Sequence, residues 1–139
     1  MQNLSGLATQ ATLESVLAGI TALRPAGAPF YAMSATAVDD ISDVLVAPAG
    51  ATGTRLLVAQ VDLYNTGTSG SIVAIKSGTD GSSTDLFKVY VAPVSGYGST
   101  YQRSFPVALM PVADVDTPIY AKCDTSGASV YVSISGYCS

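Results

Sequence analysis

Short runs of alternating apolar and polar residues, separated by turns rich in glycine, serine and threonine, recur through most of this chain. Successive side chains of a β-strand point to opposite faces, so a period of two indicates a strand with one buried face. The clearest case is the run from Arg55 to Asn65, which we interpret as a central core strand. Its apolar positions, expected to face the core, are Leu57, Ala59, Val61 and Leu63.

Seven further runs predict strands, and the turns between them carry residues that accept positive φ or form local side-chain turns. The runs lie at Tyr31 to Val38, Val44 to Ala47, Ser71 to Lys76, Leu86 to Val91, Tyr101 to Val107, Ile119 to Cys123 and Val130 to Ser135. About eight strands at this spacing are typical of all-β sandwiches and barrels. We therefore predict an all-β, two-sheet antiparallel sandwich wired as a jelly roll, with an immunoglobulin-like strand order as the alternative.

The N-terminal region has a helical period instead. An apolar stripe at helical spacing is formed by Leu13, Val16, Leu17, Ile20 and Leu23. It predicts an amphipathic helix from about Thr9 to Arg24, followed by a proline-rich linker. A helix of about a dozen residues is marginal alone in water, so its stripe must dock on its own domain or on another subunit. We accordingly divide the chain into an arm, residues 1–29, and a sandwich, residues 30–139, and take the stripe as a candidate partner-binding surface.

The chain has no histidine and no tryptophan. The usual base that activates a nucleophile is therefore missing, and no motif marks one of the serines as paired with a lysine. The acidic clusters, Asp39, Asp40 and Asp43 and the pair Asp114 and Asp116, lack the spacing of a calcium loop and are expected to be solvated at strand ends. We predict no catalytic residue, no metal site and no cofactor, and hence a protein that is not an enzyme.

Charged residues make up 12% of the chain, against about 25% in an average domain. So few charges predict a surface made largely of Ser, Thr, Gly, Asn and Ala, or one that is covered in large part by neighbours. A lattice or oligomer fits this better than a freely diffusing monomer. The net charge is −4 and the six cations are spread singly along the sequence, which disfavours nucleic acid and membrane surfaces as partners. The N-terminus lacks the features of a signal peptide, so we expect synthesis in a cytoplasm without export.

The segment from Ser95 to Tyr101 combines glycines with tyrosines, which give a large contact area at low entropic cost. Tyr97 and Tyr101 are candidate interaction residues, although an ordinary hairpin loop remains the alternative. The tyrosines in or beside strands are expected to cap the core, and they are Tyr64, Tyr90, Tyr120, Tyr131 and Tyr137. The two cysteines, Cys123 and Cys138, either pair or remain reduced.

Two stretches resemble virion proteins of tailed bacteriophages. The first, from Asn3 to Leu17, is similar to the Leu-Ala-Thr-x-x-Thr-Leu-x-x-Val-Leu segments of phage tail and head-associated proteins. The second, Ile119 to Asp124 followed by Ser129 to Tyr137, resembles the closing strands of small phage β-sandwich proteins. The resemblance implies a homotrimeric or otherwise oligomeric jelly-roll module whose N-terminal arm contacts neighbouring subunits.

From this resemblance we expect a virion protein, most directly a capsid decoration or cement protein that binds the major capsid protein through oligomer and arm contacts. A tail fibre, spike or tail-adaptor module that binds a host glycan or another tail protein is the alternative. A small hydrolase built from Asp, Ser and Lys alone is the third hypothesis, and no substrate can be named for it.

Overall fold

The computed structural model describes residues 11–16, 27–78 and 83–139. Its strands are β1 (Ala28–Met33), β2 (Val44–Ala47), β3 (Leu56–Asn65), β4 (Ser71–Ser77), β5 (Thr84–Val91), β6 (Thr100–Ser104), β7 (Ile119–Cys123) and β8 (Val130–Cys138). They form two antiparallel sheets of four strands each. The predicted two-sheet sandwich is confirmed.

The strand order is β1-β8-β3-β6 in one sheet, called sheet A, and β2-β7-β4-β5 in the other, called sheet B. The pairing is nested, because the first strand pairs with the last, the second with the seventh, the third with the sixth and the fourth with the fifth. An immunoglobulin-like order places the first two strands in the same sheet. Here β1 and β2 lie in opposite sheets, so that alternative is wrong.

The space between the sheets is filled mostly by small and β-branched side chains. The most deeply buried of the large ones are Val38, Val58, Val61, Val73, Ile75, Val91, Ile119, Val130, Val132 and Ile134. Branched side chains lose little freedom on a pleated surface and pack well against their cross-strand neighbours. The core therefore comes from the same alternating runs that predicted the strands.

Of the four residues of β3 that were predicted to face the core, Val61 and Leu63 are buried, but Leu57 and Ala59 are not. The reason is a β-bulge. The register with β8 shifts between Val58 and Gln60, which leaves Ala59 as the extra residue. A bulge reverses the alternation of the strand at that point. Val58 is therefore buried before the bulge and Val61 after it, whereas Leu57 is only half-buried.

Gly136 makes this bulge possible. It lies opposite Val58 on β8, next to the register shift. A Cβ atom at residue 136 would collide with the backbone carbonyl of Leu57, so the close approach of the two backbones requires glycine.

Two other strands differ from their predicted bounds. The run from Tyr31 to Val38 forms a strand only over Ala28–Met33, and Val38 instead makes an isolated bridge with Val130 as the chain crosses from sheet A to sheet B. Strand β6 ends at Ser104 rather than continuing to Val107. Pro106 lacks a backbone donor, and a 3-10 turn, Val107–Leu109, follows it.

The described part of the N-terminal region, residues 11–16, is helical. It falls within the predicted helix, and the remainder of that prediction lies outside the described residues. No helix in the described ranges has the length and apolar character needed to cross a bilayer.

Both cysteines are free thiols. Cys123 is buried in β7, where its Sγ lies 3.4 Å from the carbonyl oxygen of Val38, and burial raises its pKa to about 11. Cys138 ends β8 in the other sheet, with its Sγ 2.9 Å from the hydroxyl of Thr54. A disulfide between the two cysteines is therefore not part of this fold.

Candidate interaction surface

The outer face of sheet A is rich in tyrosine. Tyr64 on β3 lies directly opposite Tyr131 on β8, and their side chains are 44% and 48% exposed. On the edge strand β1, Tyr31 and Met33 are also exposed. These residues alternate with core residues along their strands and therefore point away from the core.

A groove of about 320 Å³ runs across this face. Its lining follows two cross-strand rows, one of Tyr131, Tyr64 and Thr100 and the other of Ser133, Asp62 and Gln102. Among the described residues that line the groove, Asp62 is the only charged one. The groove thus joins aromatic surface with a few hydrogen-bonding groups, which is the chemistry of an interface centre or a sugar site.

The predicted interaction loop lies at the edge of this face, because it connects β5 to β6. The loop is closed by hydrogen bonds from the backbone N–H of Ala92 to the carbonyl of Gly98 and from that of Gly96 to the carbonyl of Pro93. Tyr97 at its tip is fully exposed, whereas Tyr101 is half-buried, packs against the core and lines the groove. The structure therefore separates the two predicted residues into a protruding side chain and a part of the groove.

A buried amide fixes the loops at this end of the sandwich. Asn65, at the end of β3, is fully buried. Its Nδ2 donates to the carbonyls of Ser69 at 2.9 Å and Val91 at 3.5 Å, and its Oδ1 accepts from the backbone N–H of Gly67 at 2.8 Å. Its own N–H donates to the carbonyl of Ser99, the residue before β6. These bonds position the segment that carries Tyr97 relative to β3.

The outer face of sheet B has the opposite character, since it gathers the three lysines of the chain. Lys122 and Lys88 flank Ala74 in one cross-strand row, and Lys76 lies two residues further along β4. All three line a depression of about 460 Å³. The cations are spread singly along the sequence, but the fold brings three of them, the lysines, onto one face.

Carboxylates accompany these lysines. Asp85 pairs with Lys88 at 3.1 Å on the surface, and the lining of the depression also includes Asp40 and Asp124. The lining of the depression therefore contains both acidic and basic side chains, so the depression is not a purely basic patch.

Asp43 contradicts the expectation that the aspartates are solvated. Its side chain is only 5% exposed and faces Lys76, whose Nζ lies 3.6 Å from Asp43 Oδ1. Neither carboxylate oxygen has a hydrogen-bond partner among the residues that the structure describes. This ion pair spans β7 to hold the segment before β2 against β4, and removal of its lysine would leave a buried charge alone.

The other aspartates have structural roles at chain turns. Asp39 accepts a hydrogen bond from the backbone of Ile41, and Asp116, which adopts a φ of 57°, accepts one from Gly53. In the described ranges, no three potential ligands among His, Cys, Asp and Glu come together in a group that could hold a metal.

Asp124 forms the most connected polar cluster of sheet B. Its Oδ1 accepts hydrogen bonds from the hydroxyls of Thr125 and Ser71 and from the backbone N–H of Ile72, at 2.7, 2.9 and 3.0 Å. These bonds stabilise the charged form and lower its pKa, with that from Thr125 the strongest cause. The cluster joins β4 to the turn that follows β7.

The candidate arm residues fall into two groups. Leu13 and Val16 lie in the helical residues 11–16 and are 64% and 53% exposed. Leu17, Ile20 and Leu23 lie outside the described residues. For the two that are described, the apolar stripe is open to a partner.

The outward tyrosines are the residues that the sequence interpretation missed. Tyr64, Tyr90 and Tyr131 were expected to cap the core, but they are 44%, 60% and 48% exposed. The signal was present, because each of them is next to a buried apolar residue of its strand, namely Leu63, Val91 and Val130. The alternation along each strand could not show that Tyr64 and Tyr131 become cross-strand neighbours, because they are 67 positions apart in the chain.

No protein-family model matches this chain, and no curated protein has significant similarity to it.

Proposed function

We propose that this chain is a structural protein of a phage particle, most directly a capsid decoration or cement protein that works as a homotrimer or other homo-oligomer. The observation that carries the proposal is the outer face of sheet A, a tyrosine-rich surface with a groove whose described lining has one charge. Exposed aromatic surface with few charges is typical of the centre of a protein interface.

Two further observations support an assembled particle. The nested strand pairing agrees with a jelly-roll interpretation, a wiring that recurs in viral capsid domains. The exposed Leu13 and Val16 give the N-terminal region an apolar contact surface. Each such side chain buried on a capsid protein would contribute about 1.5 to 3 kcal/mol before ordering costs, and repetition over a lattice multiplies the attachment.

The test is cosedimentation of the purified protein with empty capsids. The double substitution L13S/V16S is expected to reduce the bound fraction strongly, because it removes apolar surface from the arm. A matched control is Ile41→Ser, which removes a side chain that is 79% exposed on the sandwich. Undiminished binding of the double variant would contradict the role of the arm, and absence of binding by the unmodified protein would contradict the decoration function.

A tail fibre, spike or adaptor module is the second candidate, and the same groove favours it. Tyrosine rings can stack on the apolar face of a sugar, while Asp62 and Gln102 can bind its hydroxyls. A glycan array, together with the copy number per particle, distinguishes the two functions. Decoration requires tens to hundreds of copies without glycan binding, and a receptor-binding module requires only a few copies with it.

A further inference from the structure

The groove of sheet A and the exposed Tyr97 have matching chemistry. The groove offers aromatic walls, Tyr64 and Tyr131, beside the carboxylate of Asp62 and the amide of Gln102. Tyr97 offers an aromatic ring with a hydroxyl at its end. A phenol ring packed against this pair of tyrosines would place its O–H near groups that accept hydrogen bonds.

Tyr97 does not fill the groove of its own chain. Its side chain is completely exposed, at 105% of the reference value. The bonds that close its loop, together with the bond from Asn65 to Ser99, hold that loop beside β6. A fully exposed tyrosine on a hydrogen-bonded loop is a ready contact residue for a second molecule, because little entropy is lost when it is buried.

We infer that Tyr97 of one copy inserts into the sheet A groove of a neighbouring copy. This inference rests on the oligomer of the proposed function and names the contact that builds it. The inserted side chain and the groove are different surfaces, so the contact is head-to-tail, and a head-to-tail contact that closes forms a ring. The expected ring is the trimer.

The chemistry of the groove favours a second copy over a charged partner. Among the described lining residues only Asp62 is charged, so the groove attracts neither an acidic nor a strongly basic surface. The edge strand β1 beside it carries Tyr31 and Met33 and no charged residue. Burial of this face against another copy removes apolar surface from water, and the O–H of the inserted Tyr97 would donate a hydrogen bond to the one carboxylate of the groove, Asp62.

The first experiment is light scattering on the size-fractionated full chain. The unmodified protein is expected to have about three times the 14.1 kDa mass of one chain. Tyr97→Ala is expected to reduce that mass towards one chain at the same concentration. Tyr90→Ala is the matched control, since Tyr90 is 60% exposed on sheet B and its substitution should leave the mass unchanged.

The second experiment locates the contact with a disulfide. A variant with S95C, which lies in the same exposed loop and leaves the Tyr97 ring in place, is mixed with a variant with Q102C. Both also carry Cys138→Ser so that the more accessible native thiol does not compete. The mixture is expected to form covalent dimers under oxidation, and neither variant alone should form them. The doubly substituted chain S95C/Q102C should give a ladder that stops at three chains.

Several results would overturn the inference. A monomeric or dimeric unmodified protein contradicts the ring, and an unchanged mass for Tyr97→Ala contradicts the insertion. A monomer that binds glycans in a manner abolished by Tyr64→Ala would assign the groove to a sugar instead. The two proposals fail distinguishably. A trimer that does not bind capsids contradicts the decoration function and keeps the Tyr97 contact, whereas a monomer that binds capsids contradicts the contact and the oligomer and keeps the decoration function.

Discussion

The two outer faces of the sandwich have the same geometry and opposite chemistry. Sheet A presents Tyr64 and Tyr131 around a groove with one charge among its described lining residues. Sheet B presents three lysines, each in a setting with nearby carboxylates. The outer face of sheet B therefore pairs lysines with carboxylates within the chain, although it also exposes Tyr90. The outer face of sheet A places Tyr64 and Tyr131 side by side, an exposed aromatic surface that another molecule can cover.

This difference shows that low overall charge alone does not indicate where a partner binds. The three lysines all lie on sheet B, whereas the charged residues in the strands of sheet A are Asp62 and Arg103. Substitutions that disturb the register of sheet A, and others that remove charges from sheet B, test this difference between the two faces.

The largest expected effect comes from Gly136→Ala. The added Cβ collides with the carbonyl of Leu57, so the bulge at Ala59 cannot keep its geometry. We expect a loss of more than about 4 kcal/mol in the free energy of unfolding, at the extreme end of single substitutions. Urea denaturation measures it.

Gly96→Ala is the control for that substitution. Its Cβ would lie 3.4 Å from the carbonyl of Pro93, a tolerable contact in an exposed loop. We expect a change within about 0.5 kcal/mol. Equal effects at the two glycines would show that the bulge does not set the register that turns Tyr64 outward.

The second effect concerns the buried ion pair of sheet B. Lys76→Met leaves Asp43 buried without its partner, and the expected loss of unfolding free energy is about 3 to 5 kcal/mol. The double variant K76M/D43L should recover most of it, because both charges are then removed. Urea denaturation of both single variants and of the double variant completes this double-mutant cycle.

Lys88→Met supplies the comparison on the same face. Its pair with Asp85 is exposed, with side chains 58% and 40% accessible, so the expected loss is about 0 to 1 kcal/mol. A loss at Lys76 as small as that at Lys88 would mean that Asp43 is solvated.

The smallest effect is the pH dependence contributed by Asp124. Its hydrogen bonds lower its pKa below the ordinary 3.8, so the stability that it contributes is present above that pH. It is lost as the pH falls through the lower pKa of the folded state. Asp124→Asn should flatten the acid limb of the stability profile, measured by thermal unfolding between neutral and acidic pH. An acid limb identical to that of the unmodified protein would exclude this contribution.

Much of the fold could be predicted from the sequence, because alternation records which side of a strand is buried. Val44–Ala47 and Ile119–Cys123 have their predicted bounds. The bulge in β3 could not be predicted, since Ala59 continues the apolar series and the cause of the shift, Gly136, is distant in the chain.

The candidate surface was harder to predict than the strands. Tyr97 was identified from its glycine-rich loop, where exposure follows from local sequence. The groove and the lysine cluster depend on which strands become neighbours, as in the row of Lys88, Ala74 and Lys122. Such neighbours follow from the strand order, which local periodicity does not contain.

The central claim, that face A is covered by another copy, is tested most directly by nitration of tyrosines followed by mass spectrometry. In a single chain, Tyr64, Tyr131 and Tyr90 have similar exposures of 44%, 48% and 60%. The account predicts that Tyr90 is nitrated readily while Tyr64 and Tyr131 are protected, and that Tyr97→Ala abolishes this protection. Equal nitration of all three tyrosines in the unmodified protein would contradict it.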